Sequence, residues 1–110
     1  MSSSVPQRRL AEILANVTRI RSHIGGMTFE EFARDEKALD AVERCLERIS
    51  EAARKMADRL DAKYPDVEFN KLRQLGSALR HDYGDVSVEL IWGARERLAR
   101  LETACHAELS

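Results

Sequence analysis

The sequence predicts an all-α domain, an up-and-down bundle of four main helices plus a short connecting helix. Three observations carry this. Apolar residues recur at alternating steps of three and four through most of the chain, the period of one helix face. No segment alternates apolar and polar residues as a half-buried strand would. The turn formers Gly25-Gly26, Tyr64-Pro65-Asp66 and Gly84 stand between the periodic segments. A chain of 110 residues suits one domain spanning 1–110, with residues 1–6 as a frayed tail.

The first helix is expected from about Pro6 to Ile24. Leu10, Ile13, Val17, Ile20 and Ile24 line one face. Pro6 suits a first turn, where its missing N–H is no loss, and Gly25-Gly26 ends the helix. Thr28-Phe-Glu-Glu31 has the form of a capping box and starts a short helix holding Phe29 and Phe32. The longest helix is expected from about Glu36 to Lys63. Leu39, Val42, Leu46, Ile49, Ala53, Met56 and Leu60 make its stripe, widened by Ala38, Ala41, Cys45 and Ala52. A stripe this wide suits a helix between two neighbours. After the break at Tyr64-Pro65-Asp66, Phe69, Leu72, Leu75 and Leu79 mark the next helix. Ser87 can cap the last one, about Val88 to Glu108, with Ile91, Ala94, Leu98, Leu101 and Cys105 inward and Trp92 beside them.

Apolar residues make up 44% and charged residues 34%, enough for a modest core under a charged surface. A net charge of −1 gives no global pull toward nucleic acid, so any RNA contact must use a local patch. The sequence lacks an apolar run of transmembrane length, and its start lacks the pattern of a signal peptide. A cytoplasmic protein without membrane contact is expected. Cys45 and Cys105 stand apart inside helical patterns and read as reduced, small apolar residues, with a disulfide or metal pair as the alternative. No Cys-x-x-Cys or histidine-rich spacing favours a metal or cofactor. The broad apolar stripes on a small chain leave room for a dimer interface.

One stretch concentrates chemistry-bearing residues: Leu72-Arg-Gln-Leu-Gly-Ser-Ala-Leu-Arg-His-Asp-Tyr-Gly84. Gln74, Ser77 and His81 form a polar row at helical spacing. His81 reads either as a helix-terminal residue whose charged form suits the dipole, or as a general acid/base. Arg80 offers fixed positive charge for a phosphate, Ser77 a hydroxyl one turn before His81, and Tyr83 a phenol two residues after it. That kit suits metal-free cleavage of RNA through its 2′-OH, leaving a 2′,3′-cyclic phosphate. His81-Asp82 also has the form of a metal-phosphohydrolase pair, but only His23 and His106 remain to complete such a site. Arg95, Arg97 and Arg100 read as a solvated face diluted by Glu96 and Glu102, or as a basic edge.

An ordered set of segments resembles the HepT-like branch of the HEPN (higher eukaryotes and prokaryotes nucleotide-binding) superfamily. The set comprises Met27-Thr-Phe-Glu-Glu-Phe32, Ala38-Leu-Asp-Ala-Val-Glu-Arg44, Ile49-Ser-Glu-Ala-Ala53, Tyr64-Pro-Asp-Val67, Leu72-Arg-Gln-Leu-Gly76, Leu79-Arg-His-Asp-Tyr83 and Val86-Ser-Val-Glu-Leu-Ile-Trp92. It covers about residues 8–108. The resemblance implies the toxin of a type VII-like toxin–antitoxin pair: an all-helical homodimer that cuts RNA without metal. It further implies a minimal nucleotidyltransferase antitoxin that silences the toxin by adenylylating a tyrosine. The family signature is an arginine, four to six residues, a histidine, one residue and a tyrosine. His81 and Tyr83 match it, as general acid/base and as adenylylation target. The arginine positions hold Gly76, Leu75 and Gln74, and the nearest arginines are Arg73 and Arg80. Arg80 lies about 100° around a helix from His81. Ser77 stands where the branch has asparagine. The catalytic set implied is therefore His81 with Arg80 or Arg73 as phosphate stabiliser and Ser77 as positioner. The alternative function is a non-catalytic helical partner of the nucleotidyltransferase.

Overall fold

A computed structural model describes residues 5–81 and 86–110. Six α-helices follow one another: α1 (Val5–Ile24), α2 (Phe29–Arg34), α3 (Glu36–Lys55), α4 (Phe69–His81), α5 (Val88–Ala94) and α6 (Leu98–Leu109). Single 3-10 turns lie at Pro65–Val67 and Arg95–Arg97. The described residues contain no strand, as an all-α helical bundle requires.

The caps are those the sequence encodes. Thr28 Oγ1 accepts from the Glu31 N–H at 3.1 Å, and Glu31 Oε1 accepts from the Thr28 N–H at 2.9 Å, closing the box that starts α2. Asp35 caps α3 by accepting from the Ala38 N–H at 3.0 Å, and Ser87 caps α5 by accepting from the Leu90 N–H at 3.2 Å. Gly26 takes a positive φ of 78° behind α1, where a side chain would be strained.

α3 is the spine. It packs against α1 on one side and α4 on the other, while α1 also packs on α6. The double stripe of α3 explains this. Val42, Leu46, Ile49 and Ala53 are buried together with Ala38, Cys45 and Ala52. Leu10, Ile13, Val17 and Ile20 of α1 meet them, and Ile91, Leu98, Leu101 and Cys105 close the core from the C-terminal end. Burial pushes both thiols up, Cys105 to about 12, so both stay protonated at neutral pH. Trp92 packs as core rather than as an open platform. It contacts Phe29 and Phe32 at centroid distances of 6.0 and 5.0 Å, and Arg95 lies 4.1 Å over its ring.

Two expected boundaries shift. α3 ends at Lys55, eight residues before Lys63, and residues 56–63 form turns. Ala57 turns left-handed there, with φ 55°. Its carbonyl, freed from the helix ladder, accepts from Arg73 Nη1 at 3.0 Å. The apolar period carries on through Met56 and half-buried Leu60, which hides the break from a reading of spacing. The last helix is two, α5 and α6, joined by the Arg95–Arg97 turn. The core phase survives across the turn, since Ile91, Ala94, Leu98, Leu101 and Cys105 are all buried. Gly93, a weak helix former, is the only local signal for it.

Candidate active site

The buried row of α4 is Phe69, Leu72, Gly76 and Leu79. Leu75, expected in that row, is only half-buried, and Gly76 takes the inward place. The reason is a close crossing with α3. A Cβ on Gly76 would lie 1.8 Å from Ser50 Oγ and 2.1 Å from Ser50 Cβ. Ser50 is itself buried, and its hydroxyl donates to the Arg73 carbonyl at 3.3 Å. Small residues on both helices thus let the backbones approach, and α4 is fixed in rotation about its axis.

That rotation presents the other face. Gln74, Ser77 and His81 are all exposed, as their spacing predicts. His81 is the last residue of α4. Asp82 and Tyr83 lie outside the described residues.

The two arginines beside His81 in sequence differ in placement. Arg73 is committed to the segment after α3: Nη1 donates to the Ala57 carbonyl, and Nη2 pairs with Asp61. Along the helix it stands roughly 12 Å from His81, at ~1.5 Å per residue. Arg80 is looser. Its Nη1 lies 3.9 Å from Glu51 Oε2, beyond hydrogen-bond range, and lies 3.5 Å from where a Gly76 Cβ would be. Glu51 takes its short contacts from Arg54 instead, at 2.6 and 3.1 Å. Those bonds hold its carboxyl below the usual range, with Lys55 and Arg80 adding to the effect. The structure therefore gathers Ser77, Arg80 and His81 at the C-terminal end of α4 and leaves Arg73 at the other.

The same geometry explains the missing arginine. Position 76 cannot carry a side chain without displacing Ser50, and position 75 is turned partly inward. Of the three signature positions only 74 lies on the exposed face, and it holds Gln74.

What sequence reasoning missed is a groove. Arg9 and Glu12 of α1, Arg44, Glu47, Arg48, Glu51 and Lys55 of α3, and Arg80 of α4 line a space of about 290 Å³. The α3 members fall at positions 44, 47, 48, 51 and 55, the period of one helix face, so their charge pattern was the available signal. Among the described residues, no three His, Cys, Asp or Glu side chains gather as metal ligands, and no helix is long and apolar enough to cross a membrane.

Comparison with known proteins points to one family. The family model described as "Ribonuclease HepT-like" matches residues 13–107. A candidate RNase of Methanocaldococcus jannaschii is 37% identical over 83 residues, covering 76% of this chain and 69% of the relative. A second from the same organism is 34% identical over 83 residues, covering 76% and 72%. A Thermococcus cleftensis protein named "Probable ribonuclease HepT" is 28% identical over 83 residues, covering 76% of each chain. No solved structure gives a significant match. With a family model spanning most of its length and relatives aligned through the α4 region, the chain belongs to the HepT-like ribonuclease family of the HEPN superfamily.

Proposed function

We propose that this chain is the toxin of a toxin–antitoxin pair: a metal-independent endoribonuclease that acts as a homodimer and is silenced by a minimal nucleotidyltransferase adenylylating Tyr83. The observation that carries the reading is the open end of α4. There His81 stands exposed beside Ser77 and a loosely held Arg80, on a helix whose opposite face is locked against Ser50.

In the proposed reaction His81 takes the proton from an RNA 2′-OH. The 2′-oxygen bonds to the adjacent phosphorus, and the bond from phosphorus to the 5′-oxygen breaks. The leaving oxygen takes a proton from the second protomer's copy of His81, which starts protonated. The products are a 2′,3′-cyclic phosphate and a 5′-hydroxyl. Arg80 balances the charge on the pentavalent phosphate, a task suited to a guanidinium without a short carboxylate contact. Arg73 could serve only by leaving Asp61 and the Ala57 carbonyl. Ser77, one turn before His81, positions the imidazole or the phosphate.

The test is cleavage of RNA by the purified chain in the presence of a chelator. The wild type is expected to yield cyclic-phosphate ends, and His81→Ala to be slower by roughly 10²–10⁴-fold. Equal rates for the two would end the catalytic reading. Co-expression with a minimal nucleotidyltransferase antitoxin is expected to add one adenylyl mass, which Tyr83→Phe prevents.

One observation favours a second reading, a non-catalytic helical partner of a minimal nucleotidyltransferase. None of positions 74–76 carries the signature arginine, and Arg73 is engaged elsewhere. Stable capture of the nucleotidyltransferase by a chain that leaves RNA intact would establish it.

A further inference from the structure

The groove along α3 gathers loosely paired cations from three helices into one space. It is lined by five cations and three carboxylates, so it is positive by two in a chain whose net charge is −1. Several cations elsewhere are held closely. Arg21–Glu102 is 2.5 Å, Lys63–Glu108 2.6 Å and Lys71–Glu68 2.7 Å. In the groove, Arg44–Glu47, Lys55–Glu51 and Arg80–Glu51 all stand at 3.9 Å. Among the described residues Arg48 has no carboxylate partner; its contact is the Cys45 thiol. Only Arg9 is tightly paired, with Glu12 at 2.9 Å. Four of the five cations thus keep N–H donors uncommitted. Arg44, Arg48 and Lys55 span roughly 16 Å of α3 at ~1.5 Å per residue, long enough to meet several phosphates of one strand.

We propose that this groove is the track for the phosphate backbone of the RNA, with Arg44, Arg48 and Lys55 as backbone-binding residues and Arg80 joining the track to His81. It rests on the ribonuclease reading and deepens it. Loosely paired guanidinium groups suit phosphate, because they bind it with two N–H groups at once and lose no strong ion pair in doing so. Such contacts are indifferent to base sequence, so the groove supplies affinity and register rather than specificity. Glu47 and Glu51 lower the net charge of the groove, which limits how tightly a cleaved product is held.

The test is the salt dependence of binding. The full chain carrying His81→Ala is titrated with a short labelled single-stranded RNA over a range of salt. Neutralising each of Arg44, Arg48 and Lys55 with glutamine is expected to reduce the slope of log affinity against log salt by ~0.7. The triple variant should lose roughly 2 in slope. Arg48→Lys should keep the slope, and Arg34→Gln, in a separate groove with Glu31, Asp35 and Glu36, should leave it unchanged. Far-UV circular dichroism checks the helices; a triple variant that loses them is replaced by the single substitutions. An unchanged slope overturns the proposal, as does absence of RNA binding. So does preference of the groove for polyglutamate over RNA, which would mark an acidic protein partner. If the slope is unchanged while wild type cuts RNA and His81→Ala does not, the groove falls and the ribonuclease reading stands. If the slope falls as expected while neither chain cuts RNA, the groove stands and the catalysis falls.

Discussion

Arg73 and Arg80 stand near opposite ends of α4, seven residues apart and so on nearly the same side of the helix. Arg73 closes the frayed end of α3, holding the Ala57 carbonyl and Asp61 together. Arg80 leans over Gly76 toward Glu51 without a short contact. One guanidinium is spent on the fold and the other is left available. The difference follows from what each end faces. The N-terminal end faces a broken helix with orphan backbone groups, and the C-terminal end faces an intact α3 whose Glu51 already has Arg54. A charge near a candidate site is therefore to be judged by its existing partners before its distance in sequence.

Between the two arginines lies the contact that holds them apart, and the largest effect is expected there. Gly76→Ala should cost about 1–3 kcal/mol by overpacking, read as a lower denaturant midpoint. Ser50→Gly in the same chain should recover much of that loss. Ser50→Ala should not, because the clash includes Ser50 Cβ. Full tolerance of Gly76→Ala would show that the helices can separate at no cost.

Next comes the direct contrast. Arg73→Met should destabilise the chain by about 1–2 kcal/mol, through the lost hydrogen bonds and a partly buried Asp61 left without its cation. Arg80→Met should stay within about 0.5 kcal/mol of wild type in stability while slowing RNA cleavage. Equal stability losses would erase the distinction. Gln74→Arg sharpens it in the other direction. It places an arginine on the exposed row with Ser77 and His81 at a signature spacing, and cleavage is expected to rise about tenfold.

The smallest effect concerns acid. The folded chain holds the Glu51 carboxyl below its usual value, chiefly through Arg54. A lowered folded value gives stability above the unfolded value of about 4.3 that is lost as pH falls through the folded one. Glu51→Gln should flatten that part of the acid limb in urea denaturation, and no change would show that the carboxylate contributes nothing measurable there.

Much of this was legible in the linear chain. The faces of α1, α3 and the α5–α6 pair follow from three-and-four spacing, and the caps at Thr28 and Ser87 follow from short side chains before helical runs. The exposed row Gln74, Ser77 and His81 followed from the same period. Two things were not legible. The end of α3 at Lys55 goes with a bond from Arg73 to the Ala57 carbonyl, 16 residues away, and apolar spacing does not register that bond. The groove needs three helices side by side, and its loose pairing emerges only when each cation's partners are known.

The sequence by itself determined the helical class, the inward faces and the position of His81 on the outward row, because these depend on periods within one segment. Only the tertiary structure decided that Gly76 is a contact with no room for a side chain, that Arg73 is a structural clamp and that Arg80 is not. Those roles are set by which atom of a distant helix lies across the interface. The crossing of α3 and α4 places Ser50 there against Gly76, and no period in α4 encodes that.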